Sequence, residues 1–160
     1  MLVSEIGWRQ AEPLRRLVLQ WPPGPVPGDL DGGAVHLGVH EAAAGSPRSR
    51  AELIGVVSMV QYPCPDRPHA PASYFWGMAV QPNRQCLGVG TAMLQQVLAR
   101  AAASGASVVW ADARLPAMPF YEQAGGVAVG EVVHDPIAGV LTRRLVFDLE
   151  PGSTSAGYSG

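Results

Sequence analysis

The chain has 160 residues, of which 48% are hydrophobic and 15% are charged, and its formal net charge is −2. This length and apolar content predict one domain with a core large enough to fold without disulfide support. Because no basic stripe is present to neutralise phosphates or anionic lipids, we expect neither nucleic acid nor a membrane surface as a partner.

The first predicted helix covers PLRRLVLQW, where apolar residues recur at helical spacing, and it ends at the following proline pair. The next segment, PPGPVPGDLDGG, predicts a long surface loop because proline and glycine do not continue a helix. The runs AVHLGVHE and AELIGVVSMVQY then predict an antiparallel hairpin, joined by a turn in AAAGSPRSR.

The run from Tyr74 to Val80 predicts a buried strand, and the apolar stripe that follows predicts a helix from Gly88 to Ser104. SVVWADA predicts a strand, MPFYEQAG a short helix, and VAVGEVV with VLTRRLVFDL a closing strand pair. The order is therefore β, α, a β hairpin, β, α, β, α, β, β, which predicts a mixed α/β sheet with helices on its faces. We expect one domain over residues 1–149 and a flexible tail over 150–160.

No targeting or metal signal is found in the sequence. The first residues, MLVSEIGWRQAEPLRR, lack the pattern of a signal peptide, and no apolar run approaches the roughly 20 residues that cross a bilayer, so a cytoplasmic location is expected. Cys64 and Cys86 form no disulfide framework and match no zinc pattern. No histidine pair lies at His-x-x-x-His spacing on a plausible helix face, because His36 and His40 lie on a predicted strand, so we expect no metal.

The stretch RQCLGVGTAM places Gly88 and Gly90 at the start of a predicted helix, where each glycine costs up to about 1 kcal/mol relative to alanine. A strand, a turn and a helix start leave several backbone N–H groups directed at one spot, beside the positive end of the helix dipole. Glycine lets a phosphate approach these groups closely, so the pattern predicts an anion site. Met93 replaces the third glycine of a dinucleotide fingerprint, and taken alone the pattern is equally typical of a turn that binds nothing.

The context of these glycines resembles the acyl-CoA signature of the GNAT-type N-acetyltransferase superfamily. In MAVQPNRQCLGVGTAML, that signature is matched by Val80, Pro82, Gln85, Gly88 and Gly90. The resemblance extends more loosely over residues 1–149 and is to the small, bacterial, single-domain members. It implies the GNAT fold, a mostly antiparallel central sheet flanked by helices.

A second stretch, ARLPAMPFYEQAGG, resembles the later motif of the same superfamily. Ala117, Phe120, Tyr121 and Gly125 match it, whereas Arg114 stands where asparagine is usual and Gly126 where phenylalanine is usual. These two departures put one CoA contact and one core aromatic in question.

The resemblance implies acetyl-CoA as co-substrate and an amine of a small molecule or protein as acceptor. The pantetheine arm would pair with the backbone around Met78, Ala79 and Val80, and a backbone N–H near Met78 to Val80 would hold the oxyanion. Tyr121 would be the general acid for the thiolate, or else pack on the CoA arm without transferring a proton. The diphosphate would lie on the turn formed by Gln85, Cys86, Leu87, Gly88, Val89, Gly90 and Thr91. The later motif would add three further CoA contacts, Arg114, Ala117 and Phe120.

The sequence does not single out a general base. Asp112, Glu52, Asp66 and Glu131 are candidates, and deprotonation through ordered water is equally open. Loops around residues 22–34, 62–73 and 133–141 would shape the acceptor pocket, and their acidic residues would suit a cationic amine: Asp29, Asp31, Asp66 and Asp135. Trp76 either lines that pocket or lies in the core.

Three readings of the function remain open at this point. The first is an acetyl-CoA-dependent N-acetyltransferase, and the second is a sensor of the same fold that binds acyl-CoA without turnover. The third, a nucleotide-binding Rossmann-type domain, is disfavoured by the hairpin that precedes the glycine turn. A homodimer is compatible with the resemblance.

Overall fold

The computed structural model describes residues 1–42 and 51–150. The turn predicted in AAAGSPRSR and the tail beyond residue 150 therefore lie outside the described residues. The helices are α1 (Trp8–Leu19), α2 (Val89–Ala103) and α3 (Met118–Gln123). The strands are β1 (Val3–Ile6), β2 (Val35–Ala42), β3 (Ala51–Gln61), β4 (Ala72–Val80), β5 (Val108–Arg114), β6 (Val127–His134) and β7 (Leu141–Asp148).

The strands form one seven-stranded sheet in the order β1-β2-β3-β4-β5-β7-β6, flanked by the three helices. The pairs β1–β2, β2–β3, β5–β7 and β6–β7 are antiparallel, and β4–β5 is parallel. This confirms the predicted mixed, mostly antiparallel α/β sheet. No helix within residues 1–42 and 51–150 is both long and apolar enough to cross a membrane.

The parallel ladder between β4 and β5 is short. It joins Ala72 to Val108, Ser73 to Val109 and Tyr74 to Trp110. Beyond this last pair, β4 runs on to Val80 and β5 runs on to Arg114. Tyr74 and Trp110 therefore mark the last step of the paired region.

The chain divides into two units, the first formed by residues 1–60 and 76–97. In this unit, α1 packs Ala11 and Leu14 against Val56 of β3, while a side chain on Gly55 would collide with Val89 of α2. Because consecutive strand residues point to opposite faces, α1 and the start of α2 cover opposite faces of β3. The absence of a side chain at Gly55 lets α2 begin directly against the strand.

The second unit is formed by residues 61–75 and 98–150. One of its apolar clusters joins Cys64, Ala72, Val108, Trp110 and Val146, all of them buried. The indole of Trp110 donates a hydrogen bond to the carbonyl of Tyr62 at 3.0 Å, so its polar edge is satisfied. Cys64 is thus a reduced core residue, as the sequence indicates.

The first helix begins earlier than the sequence predicts. The prediction started at Pro13, but α1 begins at Trp8 and Pro13 lies inside it. The side-chain oxygen of Gln10 accepts the N–H of Gly7 at 2.7 Å, which caps a first turn that precedes the proline. The helix also ends sooner, because Gln20 adopts a left-handed conformation with φ 57°.

Candidate active site

The turn between β4 and α2 is an exposed backbone loop with alternating handedness. A short 3-10 helix, Pro82–Arg84, follows β4, and Gln85 is extended with φ −70°. Cys86 has φ 64° and Gly88 has φ 87°, whereas Leu87 between them keeps a negative φ. Turns that alternate in this way gather successive N–H groups into a concavity that binds anions. Cys86 is a free cysteine that is exposed in this turn.

The first turn of α2 adds further donors at the same place. The N–H of Ala92 makes an intrahelical bond to the carbonyl of Gly88 at 3.0 Å. The N–H groups of Val89, Gly90 and Thr91 come before it, where helix geometry supplies no acceptor, and they lie at the positive end of the dipole. The structure therefore combines a left-handed turn with a helix N-terminus at the residues for which diphosphate contacts were predicted.

Hydrogen bonds and an ion pair hold the residues next to this turn in place and leave its front open. Gln81 donates its backbone N–H to Ile54 of β3 at 2.8 Å, and Gln85 donates its side-chain amide to the carbonyl of Val80 at 3.1 Å. Arg84 is paired with Glu41 at 2.8 Å. Nothing lies within 4 Å of the position that a Cβ on Gly88 would take, so the front of the turn is open.

The end of β4 presents Met78 and Val80 on a half-exposed face, while Ala79 is buried against α1. Before them, the strand is irregular because Gly77 has φ 67° and three consecutive residues, Phe75 to Gly77, are all buried. A left-handed residue interrupts the alternation of a strand and redirects the peptide that follows it. Gly77 was not among the predicted site residues, although a single glycine inside an apolar strand run is the usual signal of such a break.

The second unit contains Tyr121, on α3. Its side chain is 7% exposed, and its ring lies 5.7 Å from that of Phe75 and 5.0 Å from that of Phe120, measured between centroids. Burial raises the pKa of Tyr121 above its ordinary value, so the phenol stays protonated. It is a hydrogen-bond donor at neutral pH.

The two departures from the later motif have different structural settings. At Gly126, an added Cβ would stand 2.7 Å from Leu145 and 2.9 Å from the ring of Phe147, so these side chains of β7 already fill the space of the missing aromatic. Arg114 ends β5 and is followed by a 3-10 helix, Leu115–Ala117, that leads into α3. Burial lowers the pKa of Arg114, although the nearby charge of Asp135 opposes this effect.

Among the candidate bases, Asp112 lies two residues beyond the end of the β4–β5 ladder. The Tyr74 hydroxyl donates to its Oδ2 at 3.5 Å, and Arg144 Nε lies 3.9 Å from its Oδ1. Burial raises the pKa of Asp112, and the negative charges of Asp135 and Asp66 add to this effect. Arg144 and the Tyr74 hydrogen bond oppose the rise without cancelling it.

The other candidate bases have different surroundings. Glu52 accepts a hydrogen bond from Gln81 at 2.7 Å, and Asp66 is paired with Arg144 at 3.2 Å. Glu131 is exposed on β6. Asp112 is therefore the candidate with both a raised pKa and a place near the end of the parallel ladder, which is why it is carried forward.

One acidic residue expected at the acceptor pocket is buried instead. The loop over residues 22–34 was predicted on the surface, but Asp29 is 3% exposed and pairs with Arg15 Nη1 at 2.7 Å. The expectation that Asp29 faces a cationic acceptor is therefore wrong. Trp76 is also buried, and its indole donates to Asp29 Oδ1 at 3.1 Å.

Comparison with known proteins agrees with this architecture. The family model described as acetyltransferase (GNAT) family matches residues 33–126, which is more than half of the chain. The chain therefore belongs to the GNAT acetyltransferase family, a family of acyl-transfer enzymes. No curated protein sequence is similar enough to count as a relative.

Solved structures show the same fold at low sequence identity. FeeM, an N-acyl amino acid synthase from uncultured soil microbes, is 9% identical with a TM-score of 0.72, over 92% of this chain and 90% of that one. Escherichia coli ElaA is 15% identical with a TM-score of 0.68, over 92% of this chain and 100% of that one. An aminoglycoside 6'-N-acetyltransferase complexed with coenzyme A is 15% identical with a TM-score of 0.66, over 94% of this chain and 98% of that one.

Proposed function

We propose that the protein is an N-acyltransferase that moves an acetyl group from acetyl-CoA to an amine. The observation that carries this proposal is the open turn before α2, with left-handed residues at Cys86 and Gly88 and the helix N-terminus behind it. An anion as large as the CoA diphosphate needs several amide donors, and this turn supplies them from the backbone alone. Family membership supplies the chemistry, acyl transfer.

CoA binds in this proposal through backbone more than through side chains. The amides from Gln85 to Thr91 hold the diphosphate, and the pantetheine arm pairs with the half-exposed end of β4 around Met78 and Val80. Arg114, Ala117 and Phe120 are proposed as further CoA contacts in the second unit. Arg114 keeps its positive charge despite burial, since even a lowered guanidinium pKa stays far above neutrality.

The reaction is a direct displacement at the thioester carbon. The amine nitrogen forms the new C–N bond, a backbone N–H of β4 holds the oxyanion, and the C–S bond breaks to release the CoA thiolate. Tyr121 donates a hydrogen bond to the departing sulfur, and its raised pKa keeps the donor proton in place as the charge develops. The nitrogen of a cationic acceptor loses two protons: the first before attack, which frees its lone pair and passes through a general base to solvent, and the second as the tetrahedral intermediate collapses, which the thiolate takes up.

Asp112 is our choice for the general base that takes the first of these protons from the acceptor nitrogen. A carboxylate is a stronger base when its pKa lies above the ordinary value, and burial with nearby carboxylates produces this shift at Asp112. The Tyr74 hydroxyl lies 3.5 Å from this carboxylate, at the long end of hydrogen-bond distance. Deprotonation through water is the alternative that the sequence left open.

The acceptor is proposed to be a cationic amine. The negative charges of Asp66 and Asp135 act on Asp112 in the second unit, and a positively charged acceptor would offset this repulsion. Two fold neighbours are an N-acyl amino acid synthase and an aminoglycoside acetyltransferase by name, so N-acylation occurs on this architecture. A cytoplasmic location and a homodimer stay predictions.

The proposal is tested by thiol release from acetyl-CoA over a panel of polyamines, aminoglycosides, amino acids and peptide amino termini. We expect at least one amine to release CoA and to gain the acetyl mass, and Tyr121→Phe to lower kcat while CoA still binds. If CoA binds and the panel shows neither acetyl transfer nor hydrolysis, the result favours the second reading, a non-catalytic acyl-CoA sensor.

A further inference from the structure

A buried polar cluster lies behind β4 in the first unit. It joins Arg15 of α1, Asp29 of the following loop, His36 of β2 and Ser58 of β3, which are exposed by 1%, 3%, 7% and 0%. Arg15 donates to Asp29 Oδ2 at 2.7 Å and to Ser58 Oγ at 2.6 Å. Ser58 Oγ in turn lies 2.6 Å from Nδ1 of His36.

The electrostatics of this cluster favour one arrangement of charges. Burial alone would raise the pKa of Asp29, but hydrogen bonds from Arg15, from the backbone of Val26 and from Trp76 hold it below its ordinary value. Burial lowers the pKa of His36, so a neutral imidazole stands beside the ion pair. The cluster is therefore one ion pair with neutral hydrogen-bonding neighbours.

Stability by itself does not account for such a cluster. Removing two charges from water is costly, and a well-packed apolar set of similar volume usually stabilises a fold as well or better. A planar guanidinium, however, keeps a fixed orientation that an apolar side chain does not impose. The role of Arg15 therefore depends on which part of the backbone its guanidinium holds in a fixed position.

The cluster reaches β4 at two consecutive residues. Trp76 donates its indole N–H to Asp29, and its ring is packed so closely that a Cβ on Gly28 would stand 3.0 Å from it. Next to it, a Cβ on Gly77 would stand 2.9 Å from Arg15 Nε and 3.3 Å from the ring of Trp21. Arg15 Nε itself is buried without a hydrogen-bond partner among the described residues.

Gly77 is the residue at which β4 leaves regular strand geometry, with φ 67°. Arg15 and Trp21 occupy the side of the strand on which any side chain at this position would project. They therefore confine the peptide between Gly77 and Met78 from behind. Met78 is the first residue of the segment, Met78 to Val80, from which the proposed function takes the backbone N–H that holds the acyl oxygen.

We propose that Arg15, held by Asp29, is a positioning residue that fixes the left-handed break at Gly77 and thereby aims the N–H of Met78 at the acyl carbonyl. This inference rests on the proposed function. Oxyanion donors act only within a narrow range of distance and direction, so a small shift of this peptide lowers the rate without removing CoA from its site.

The first test adds a single methyl group. Gly77→Ala places a Cβ against Arg15, whereas Gly105→Ala adds one at a comparable left-handed φ of 92° with nothing within 4 Å. We expect kcat for Gly77→Ala to fall by about 10–100-fold with the Kd for CoA unchanged, and Gly105→Ala to keep wild-type kcat. Equal kcat in the two variants would overturn the proposal.

The second test removes the ion pair in a balanced way and keeps the proposal testable where Gly77→Ala does not fold. Arg15→Met combined with Asp29→Leu replaces both charges by apolar groups, which leaves no buried charge unpaired. The same loss of kcat at unchanged CoA affinity supports the proposal. A folded double variant with wild-type kcat would overturn it.

A spectroscopic measurement separates failure of this inference from failure of the proposed function. The amide resonance of Met78 is followed in the wild type and the double variant, with and without acetyl-CoA. We expect a shift of this resonance in the double variant even without ligand, because the peptide is no longer confined. An unchanged Met78 resonance overturns the inference whether or not any acceptor is acetylated.

Discussion

Asp29→Asn is expected to lower the free energy of unfolding by about 3–5 kcal/mol, because it leaves the charge of Arg15 buried without its partner. Arg15 is 1% exposed and has no second carboxylate among its hydrogen-bond partners in the described chain. Asp29 also accepts the backbone N–H of Val26 at 2.8 Å and the indole of Trp76, so the substitution weakens three hydrogen bonds. Denaturant unfolding measures the loss.

A matched control lies two residues away in the same loop. Asp31 is exposed and accepts the N–H of Gly33 at 2.8 Å, so Asp31→Asn is expected to cost no more than about 1 kcal/mol. If Asp29→Asn unfolds at the same denaturant concentration as Asp31→Asn, the ion pair does not have the role assigned to it.

Asp112→Asn is expected to lower kcat by about 10²–10⁴-fold, the usual contribution of a general base. The active form is the carboxylate, and its pKa is raised by burial and by neighbouring carboxylates. In the wild type, kcat/KM therefore rises with pH through a value above the ordinary aspartate range, as Asp112 loses its proton. In Asp112→Asn this acid limb of the pH profile disappears.

The control for this experiment is the same substitution at Asp148, which pairs with Arg67 at 2.9 Å on an exposed surface of the second unit. Asp148→Asn is expected to keep kcat within about threefold, since exposed ion pairs contribute little. An Asp112→Asn enzyme with wild-type kcat and an unchanged pH profile would assign deprotonation of the amine to water.

The sequence predicts the sheet and the position of the glycine turn before α2 well because both depend on local signals. Alternating and continuous apolar runs indicate the strands of both hairpins, and Gly88 marks the start of α2. The left-handed conformation of Gly88 follows from the usual role of glycine in a turn. That of Cys86 does not, since a cysteine rarely adopts it and the surrounding turn imposes it.

The buried cluster could not be predicted, because each of its members has an ordinary alternative. Arg15 adjoins the apolar stripe of α1 and resembles a solvated helix residue, and Asp29 lies in a loop rich in proline and glycine. Only the folded chain brings together Arg15, Asp29 and Ser58, which are separated by 14 and 43 positions from the arginine. Long-range pairing of this kind leaves no periodic pattern.

Gly126 is a second feature whose structural setting could not be predicted from the sequence. The motif leads one to expect an aromatic ring there, and the sequence alone suggests a gap in the core. The structure fills this space with Leu145 and Phe147, which lie on β7. A local sequence motif does not show that side chains from a different strand fill the space of a missing residue.

In the proposed function, the turn before α2 binds the diphosphate of CoA. Gly88→Asp and Gly88→Asn test it as a pair, because both side chains tolerate a left-handed backbone and have nearly the same shape. They differ by one negative charge at the open front of the turn, where nothing lies within 4 Å of the added Cβ. Two like charges about 4 Å apart near a surface repel by about 4 kcal/mol.

The most direct measurement is calorimetric titration of both Gly88 variants with CoA and with pantetheine, which lacks the diphosphate. We expect Gly88→Asp to bind CoA at least about tenfold more weakly than Gly88→Asn, a difference of about 1.4 kcal/mol, and both to bind pantetheine equally. Equal affinities of the two variants for CoA would show that the diphosphate lies elsewhere and would contradict the account.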